Sequence, residues 1–262
     1  MKILLVGDIV GSPGRRVFRE VVKRLRAESA VHAVVVNAEN AAAGNGITLA
    51  LAEEIFTAGA DVITMGDHVW GQRELEATIG GEKRLVRPVN FPPGTPGQGY
   101  ATVQTALGPV TVVNLLGRVF MNPSDCPFRA MDALLAKPPE GVKAVVVDFH
   151  AEATSEKMAM GRYLDGRVAA VVGTHTHVGT IDARLLSGGT AYVTDIGMVG
   201  PQDSVIGDDP EAVIQRFLTQ IPGRLSVGKG LVEFNAVLID ICERSGLASA
   251  IERLQLVVDP AG

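Results

Sequence analysis

Apolar residues fall in short continuous blocks along this chain, and several blocks end on a polar side chain. Residues 2–7 form the first block. Runs of this length without alternation suit strands buried on both faces. Gly7 to Gly14 reads as a loop, with Ser12 as a helix cap and Pro13 in the first turn. Val17, Val21, Val22 and Leu25 then recur at helical spacing, which predicts a helix over 13–28. A strand follows at Ala33–Asn37, a helix at Thr48–Ala58 stopped by Gly59, and a strand at Asp61–Met65. Strand and helix in alternation predict a parallel α/β sheet.

The rhythm changes after residue 86. Residues 87–99 are rich in proline and glycine and read as loop. Tyr100–Leu107 and Val110–Leu116 flank Gly108-Pro109 as a predicted hairpin, and 117–128 reads as irregular. Further strands are expected at Ala144–Val147, Ala169–Val172 and Thr190–Thr194. Leu231–Cys242 and Leu247–Val258 flank Ser245-Gly246 as a second hairpin. With no internal repeat and no linker, the expectation is one domain over 1–262 holding two packed mixed sheets.

The ends of these blocks carry the chemistry. Four of the five histidines lie there: His68, His150, His175 and His177. Asp8, Glu39 and Asp67 close or follow other blocks. Functional groups in open α/β sheets gather at the carboxyl ends of strands. A lone histidine at a strand end is commonly a polar core or rim residue. Several ligand-type residues placed alike favour a metal centre instead. His175 and His177 stand two apart, so in an extended segment both rings point to one side. Imidazole with carboxylate suits zinc, iron or manganese. Two such ions would clamp an in-line displacement at phosphorus, with a long carboxylate such as Glu39 able to bridge them.

Bulk properties narrow the field. The 262 residues carry a net charge of −5, which argues against an extended nucleic-acid surface but not against a small phosphate-bearing substrate. Two well-separated cysteines form no disulfide framework, and their expected state is reduced, in the cytoplasm. No signal peptide and no membrane span is read, and a homo-oligomer is left open. The glycines of 7–14 lack the order of a dinucleotide or P-loop motif.

The order of segments resembles the calcineurin-like metallophosphoesterases, and within them the YmdB-type branch of bacterial phosphodiesterases. Gly7-Asp8-Ile9-Val10-Gly11, Asn37-Ala38-Glu39-Asn40, the run from Asp148 to Lys157, Gly173-Thr174-His175-Thr176-His177 and Thr194 to Met198 carry the likeness, which spans residues 1 to about 258. The resemblance implies a four-layer α/β sandwich of two mixed sheets flanked by helices. It implies two divalent or mixed-valence ions, iron or manganese. Asp8, Glu39, Asn40 and His177 would hold one, and Glu39, Asp67, His150 and His175 the other. His68 would protonate the leaving alkoxide. The implied substrate is a small phosphodiester, with 2′,3′-cyclic nucleotides such as 2′,3′-cyclic AMP preferred.

Val10 stands where the wider superfamily has a metal-binding histidine, and Glu39 where it has a bridging aspartate; the closer branch shares both. Asp67 replaces a usual asparagine, adding charge that favours a harder metal. Arg118 is a candidate for phosphate contact or a surface pair. Glu152 would orient a metal ligand or only start a helix, and Thr174 and Ser155 are further phosphate candidates. Two rivals remain: a phosphomonoesterase or nucleotidase on the same site, and a metal-binding signalling or interaction protein with little turnover.

Overall fold

The computed structural model describes residues 1–259. Its first half contains β1 (Lys2–Val6), β2 (Asp8–Ile9), α1 (Gly11–Glu28), β3 (Ala33–Asn37), α2 (Leu49–Thr57), β4 (Val62–Thr64), α3 (Leu75–Thr78), β5 (Leu85–Val86), β6 (Tyr100–Thr105) and β7 (Gly108–Leu116). There follow α4 (Pro127–Ala136), β8 (Ala144–His150), α5 (Thr154–Tyr163), β9 (Ala170–Thr174), β10 (Arg184–Leu185), β11 (Ala191–Val193), β12 (Met198–Pro201), α6 (Pro210–Thr219), β13 (Val232–Ile241) and β14 (Ala248–Val258).

The strands form two mixed sheets. One runs β2-β12-β13-β1-β3-β4-β5, with β14 on β13, and the other β10-β11-β9-β8-β7-β6. Strands β1, β3, β4 and β5 are mutually parallel, as are β11, β9, β8 and β7; β13, β14, β10 and β6 pair antiparallel.

The two-residue period of a strand divides each apolar run between two cores. Ile3, Leu5 and Val35 join Val112, Val146 and Val172 between the sheets. Their neighbours Leu4, Val6, Val34 and Val36 turn outward to Val17, Phe18 and Val21 of α1 and Ile55 of α2. On the far side Val145, Val147 and Phe149 meet Met131 of α4 and Met160 of α5. Burial of each such side chain contributes about 1.5–3 kcal/mol, which is why the runs are mostly apolar. The result is the expected four layers: helix, sheet, sheet, helix.

Three local expectations shift. α1 starts at Gly11, not Pro13, and its cap position is Val10 rather than Ser12. The first hairpin turns at Ala106-Leu107, two residues before the expected Gly108-Pro109. There the Thr105 hydroxyl donates to the Gly108 carbonyl at 2.7 Å and accepts from the Leu107 N–H at 3.1 Å, tying off the turn early. Helices α3 to α6 come in addition to the expected elements. α5 buries Glu156 and Lys157 on the face that a periodicity reading expects to be apolar.

Candidate metal centre

The carboxyl ends of parallel strands from both sheets meet at one cleft of about 330 Å³. Asp8 opens β2 directly after β1; Glu39 and Asn40 follow β3; Asp67 and His68 follow β4. The other sheet supplies His150, the last residue of β8, then His175 and His177 just past β9. Of the eight residues expected as metal ligands or proton donor, Glu39, Asn40, His68, His175 and His177 line the cleft, and Asp8, Asp67 and His150 lie against them. Asp8, Glu39, Asn40, His150 and His177 are buried, while Asp67, His68 and His175 are partly exposed to the cleft.

Glu39, Asp67, His150 and His175 form the tight heart of the site: one ligand atom from each lies within 4.8 Å of the others. His150 Nε2 is 3.0 Å from Glu39 Oε1, 3.1 Å from Asp67 Oδ1 and 2.9 Å from His175 Nδ1. This approach requires Gly66. A methyl group there would overlap the His150 ring and Glu39 Oε2.

A chain of hydrogen bonds aims these lone pairs. The Thr174 hydroxyl donates to Asp148 Oδ1 at 2.7 Å. Its oxygen is then free to accept from His150 Nδ1 at 3.0 Å. That fixes a proton on His150 Nδ1 and makes Nε2 the nitrogen turned toward Glu39 and Asp67. Asn37 Nδ2 and the Thr64 hydroxyl donate to the other oxygen of Asp148. On His175, Nε2 faces Glu152 Oε2 at 3.2 Å, so Nδ1 is the nitrogen turned inward. Glu152 lies two residues before α5, so it stands both at a helix start and against this ring.

Asp8, Asn40 and His177 surround the heart more loosely. His177 Nδ1 donates to the Ile206 carbonyl at 2.6 Å, leaving Nε2 toward Asp8 Oδ1 at 3.8 Å and the Asn40 amide at 3.1 Å. Asn40 Oδ1 accepts from His68 Nδ1 at 2.8 Å, and the His68 N–H donates to Glu39 Oε2 at 2.9 Å. The His68 ring, 42% exposed, stands at the mouth of the cleft.

The histidine pair reaches the cleft by a different route from the one expected. His175 and His177 are not extended: their φ angles are +97° and +64°. Such left-handed backbone costs a non-glycine residue about 1–3 kcal/mol and must be held by its surroundings. Thr176, between them, donates through its N–H at 3.2 Å and its hydroxyl at 2.7 Å to Asp195 Oδ2. Asp195 is fully buried and paired at 2.7 Å with the equally buried Lys157 of α5. Its second oxygen accepts from the Gly197 N–H at 2.8 Å.

The donor set fits divalent metal ions. Two ring nitrogens and two carboxylates converge with lone pairs facing one another, an arrangement that needs a cation among them. Asp8 Oδ1 is buried without a hydrogen-bond partner, a cost that a bound ion removes. In the metal-free protein protons take up the strain. Burial pushes the Asp8 carboxyl up to about 7. Burial opposes charge on His150, yet Glu39 and Asp67 outweigh it and raise the imidazole well above its ordinary value. Against the same opposition from burial, His150 holds Glu39 below its usual range. Burial lowers His177, although its bond to the Ile206 carbonyl works the other way.

Sequence reasoning passes over the residues behind this geometry: Asn37, Thr64, Asp148, Lys157, Asp195 and Ile206. Asp148, Lys157 and Asp195 lie inside the motifs named above, and charged residues within apolar runs are the available signal. Thr174 is corrected. It is buried, and its hydroxyl is engaged by Asp148 and His150, so it does not face phosphate. Arg118 and Ser155 are exposed, and the Arg118 N–H donates to Glu156.

Comparison with known proteins agrees with this architecture. The chain is 47% identical over 254 residues to a 2′,3′-cyclic-nucleotide 2′-phosphodiesterase of Bacillus subtilis strain 168, covering 97% of this chain and 96% of that one. A crystal structure of a hypothetical protein from Thermus thermophilus superposes with a TM-score of 0.92 at 40% identity, over 98% of this chain and 99% of the other. A Mycoplasma pneumoniae structure described as a novel phosphatase gives 0.93 at 34% identity, over 99% and 94%. The family described as YmdB-like protein matches residues 4–254, and the chain belongs to that family.

Proposed function

We propose that this protein is a dinuclear-metal phosphodiesterase acting on 2′,3′-cyclic nucleotides. The observation that carries the reading is the convergence of Glu39, Asp67, His150 and His175 in a chain 47% identical to a phosphodiesterase of that substrate class. In this reading Asp8, Glu39, Asn40 and His177 would hold one ion, and Glu39, Asp67, His150 and His175 the other. Iron or manganese accords with a set of imidazoles and carboxylates lacking thiolates. Ions held there supply Lewis acidity and a water of lowered pKa for attack at phosphorus.

The chain's own residues do the rest. Glu39 is anchored by the His68 N–H, and His150 and His177 are locked by Thr174 and the Ile206 carbonyl. His68 donates Nδ1–H to Asn40, which leaves Nε2 at the mouth of the cleft, 3.8 Å from Asp67 Oδ2. From there the imidazolium gives its proton to the departing ribose oxygen as a 2′,3′-cyclic phosphate opens to a monoester. The whole chain acts as one catalytic domain, and its two free cysteines accord with a reducing, cytoplasmic setting.

The test is hydrolysis of 2′,3′-cyclic AMP by manganese- or iron-loaded protein, with metal counted by elemental analysis. A nucleoside monophosphate should form, and Asp8→Ala and His150→Ala should abolish its formation. A 2′-monoester turned over faster than the diester at equal metal would favour a phosphatase, the description given to the Mycoplasma structure. Protein that keeps no ion under metal-replete conditions would overturn the reading.

A further inference from the structure

A second cavity, of about 540 Å³, adjoins the metal cleft and shares Ile206 and Asp208 with it as a common wall. Its size falls within the roughly 300–1,000 Å³ of small-molecule sites. Val205, Val213 and Leu225 make it apolar, while Asp208, Arg216 and Gln220 put polar groups into its lining. Phe217 of α6 also lines it, yet this ring is 80% exposed. A phenyl ring kept largely in water beside a catalytic cleft is the composition of a stacking platform.

The wall itself is strained. Ile206 has φ +50°, and a β-branched residue adopts that conformation at a cost. Its carbonyl holds His177 at 2.6 Å while its half-exposed side chain separates the two spaces. Strain of this kind concentrates at ligand clamps. A group covalently attached to a phosphate in the metal cleft therefore has an adjoining, largely apolar space to enter across Ile206. A purine or pyrimidine matches its lining: flat apolar faces for Phe217 and Ile206, and a polar edge for Asp208, Arg216 and Gln220.

We infer that the cavity between Ile206 and Phe217 is the nucleobase subsite of this enzyme, with Phe217 stacking on the base. The inference rests on the phosphodiesterase reading for its substrate and is separable from it by experiment. Kinetics on the metal-loaded full chain would compare 2′,3′-cyclic AMP with the base-free 2′,3′-cyclic phosphate of methyl riboside. Phe217→Ala should raise KM for the nucleotide roughly 5- to 100-fold, the loss of one base stack. Its kcat should hold within about twofold, and KM for the base-free diester should not move. Phe217→Trp should restore the nucleotide's KM.

Adenosine binding to chelator-treated protein, followed by NMR, gives a readout independent of turnover and should vanish in Phe217→Ala. Equal effects on both diesters, or adenosine bound alike by both proteins, would overturn the assignment. A change in sedimenting mass without base selectivity would also overturn it, marking α6 as a self-association face. If neither diester is hydrolysed, the phosphodiesterase reading falls while the adenosine experiment still decides the base site.

Discussion

Lys157 Nζ lies 2.7 Å from Asp195 Oδ2 with both side chains sealed from solvent, and the same carboxylate oxygen holds Thr176 between the two histidines of the site. A structural ion pair and the histidine turn thus share one anchor. Asp195→Ala leaves a buried ammonium unpaired and should cost about 3–5 kcal/mol in chemical denaturation. Lys157→Met in that background should recover part of the stability. It should not recover metal affinity, because Thr176 stays unheld. Equal recovery of both would separate the pair from the turn.

Thr174 relays Asp148 to His150, and Thr174→Val keeps its shape while deleting the relay. The cost in stability should be about 1–3 kcal/mol, that of unsatisfied buried polar groups. Metal affinity should drop roughly 10- to 100-fold as the His150 tautomer loosens. Titration of the ion into chelator-stripped protein measures it, and unchanged affinity would show that the ring needs no relay.

Gly66→Ala tests the closeness of the heart of the site. The added methyl overlaps His150 and Glu39, neither of which has free space to retreat. Metal content after purification should fall well below that of the parent protein while circular dichroism stays unchanged. Full occupancy in the variant would contradict the packing described here.

These substitutions also mark where sequence legibility ends. The eight residues at strand ends are readable because buried strands leave few positions for polar side chains, so Asp8, Glu39 and His150 stand out. Asp148 and Lys157 are just as buried and polar, but their partners Thr174 and Asp195 lie 26 and 38 residues away. No local period reveals such pairs. The turn at His175–His177 departs from its expected form for a related reason. Spacing by two satisfies an extended strand, while the actual left-handed backbone depends on Asp195, outside the segment. The second cavity is hidden from a reading of local pattern because its lining joins Val205 and Ile206 of a loop to Phe217 of α6 and to Leu225 beyond it.

Metal-free protein should lose stability as pH rises from 6.5 to 8. Asp8, raised to about 7, keeps a proton in the folded state that the unfolded chain releases near 3.8. Its stabilisation is present at low pH and lost on approach to 7. His150 is raised well above 6.5, so its contribution is lost from 6.5 upward. The lowered His177 acts in the opposite sense only below 6.5, and Glu39 and Asp67 only below their ordinary carboxylate values. Hydrogen bonds from Ser245 lower the Cys242 thiol to about 7, which opposes the trend above 7, so the comparison is made in a Cys242→Ser background. Above 6.5 the terms from Asp8 and His150 agree. Denaturation midpoints in chelator at pH 6.5 and 8 measure the slope, and bound metal should offset it because its ligands must shed protons. A midpoint that climbs in chelator would refute the proton account.

The donors come from opposite sheets: Asp8, Glu39 and Asp67 from one, His150, His175 and His177 from the other. An ion seated among them is a rivet through the middle of the sandwich. A sideways slip of either layer pulls nitrogen from oxygen, so capture of the ion audits the register of the whole assembly. A copy whose layers sit out of register would lose the ion and, with it, whatever chemistry the ion supplies.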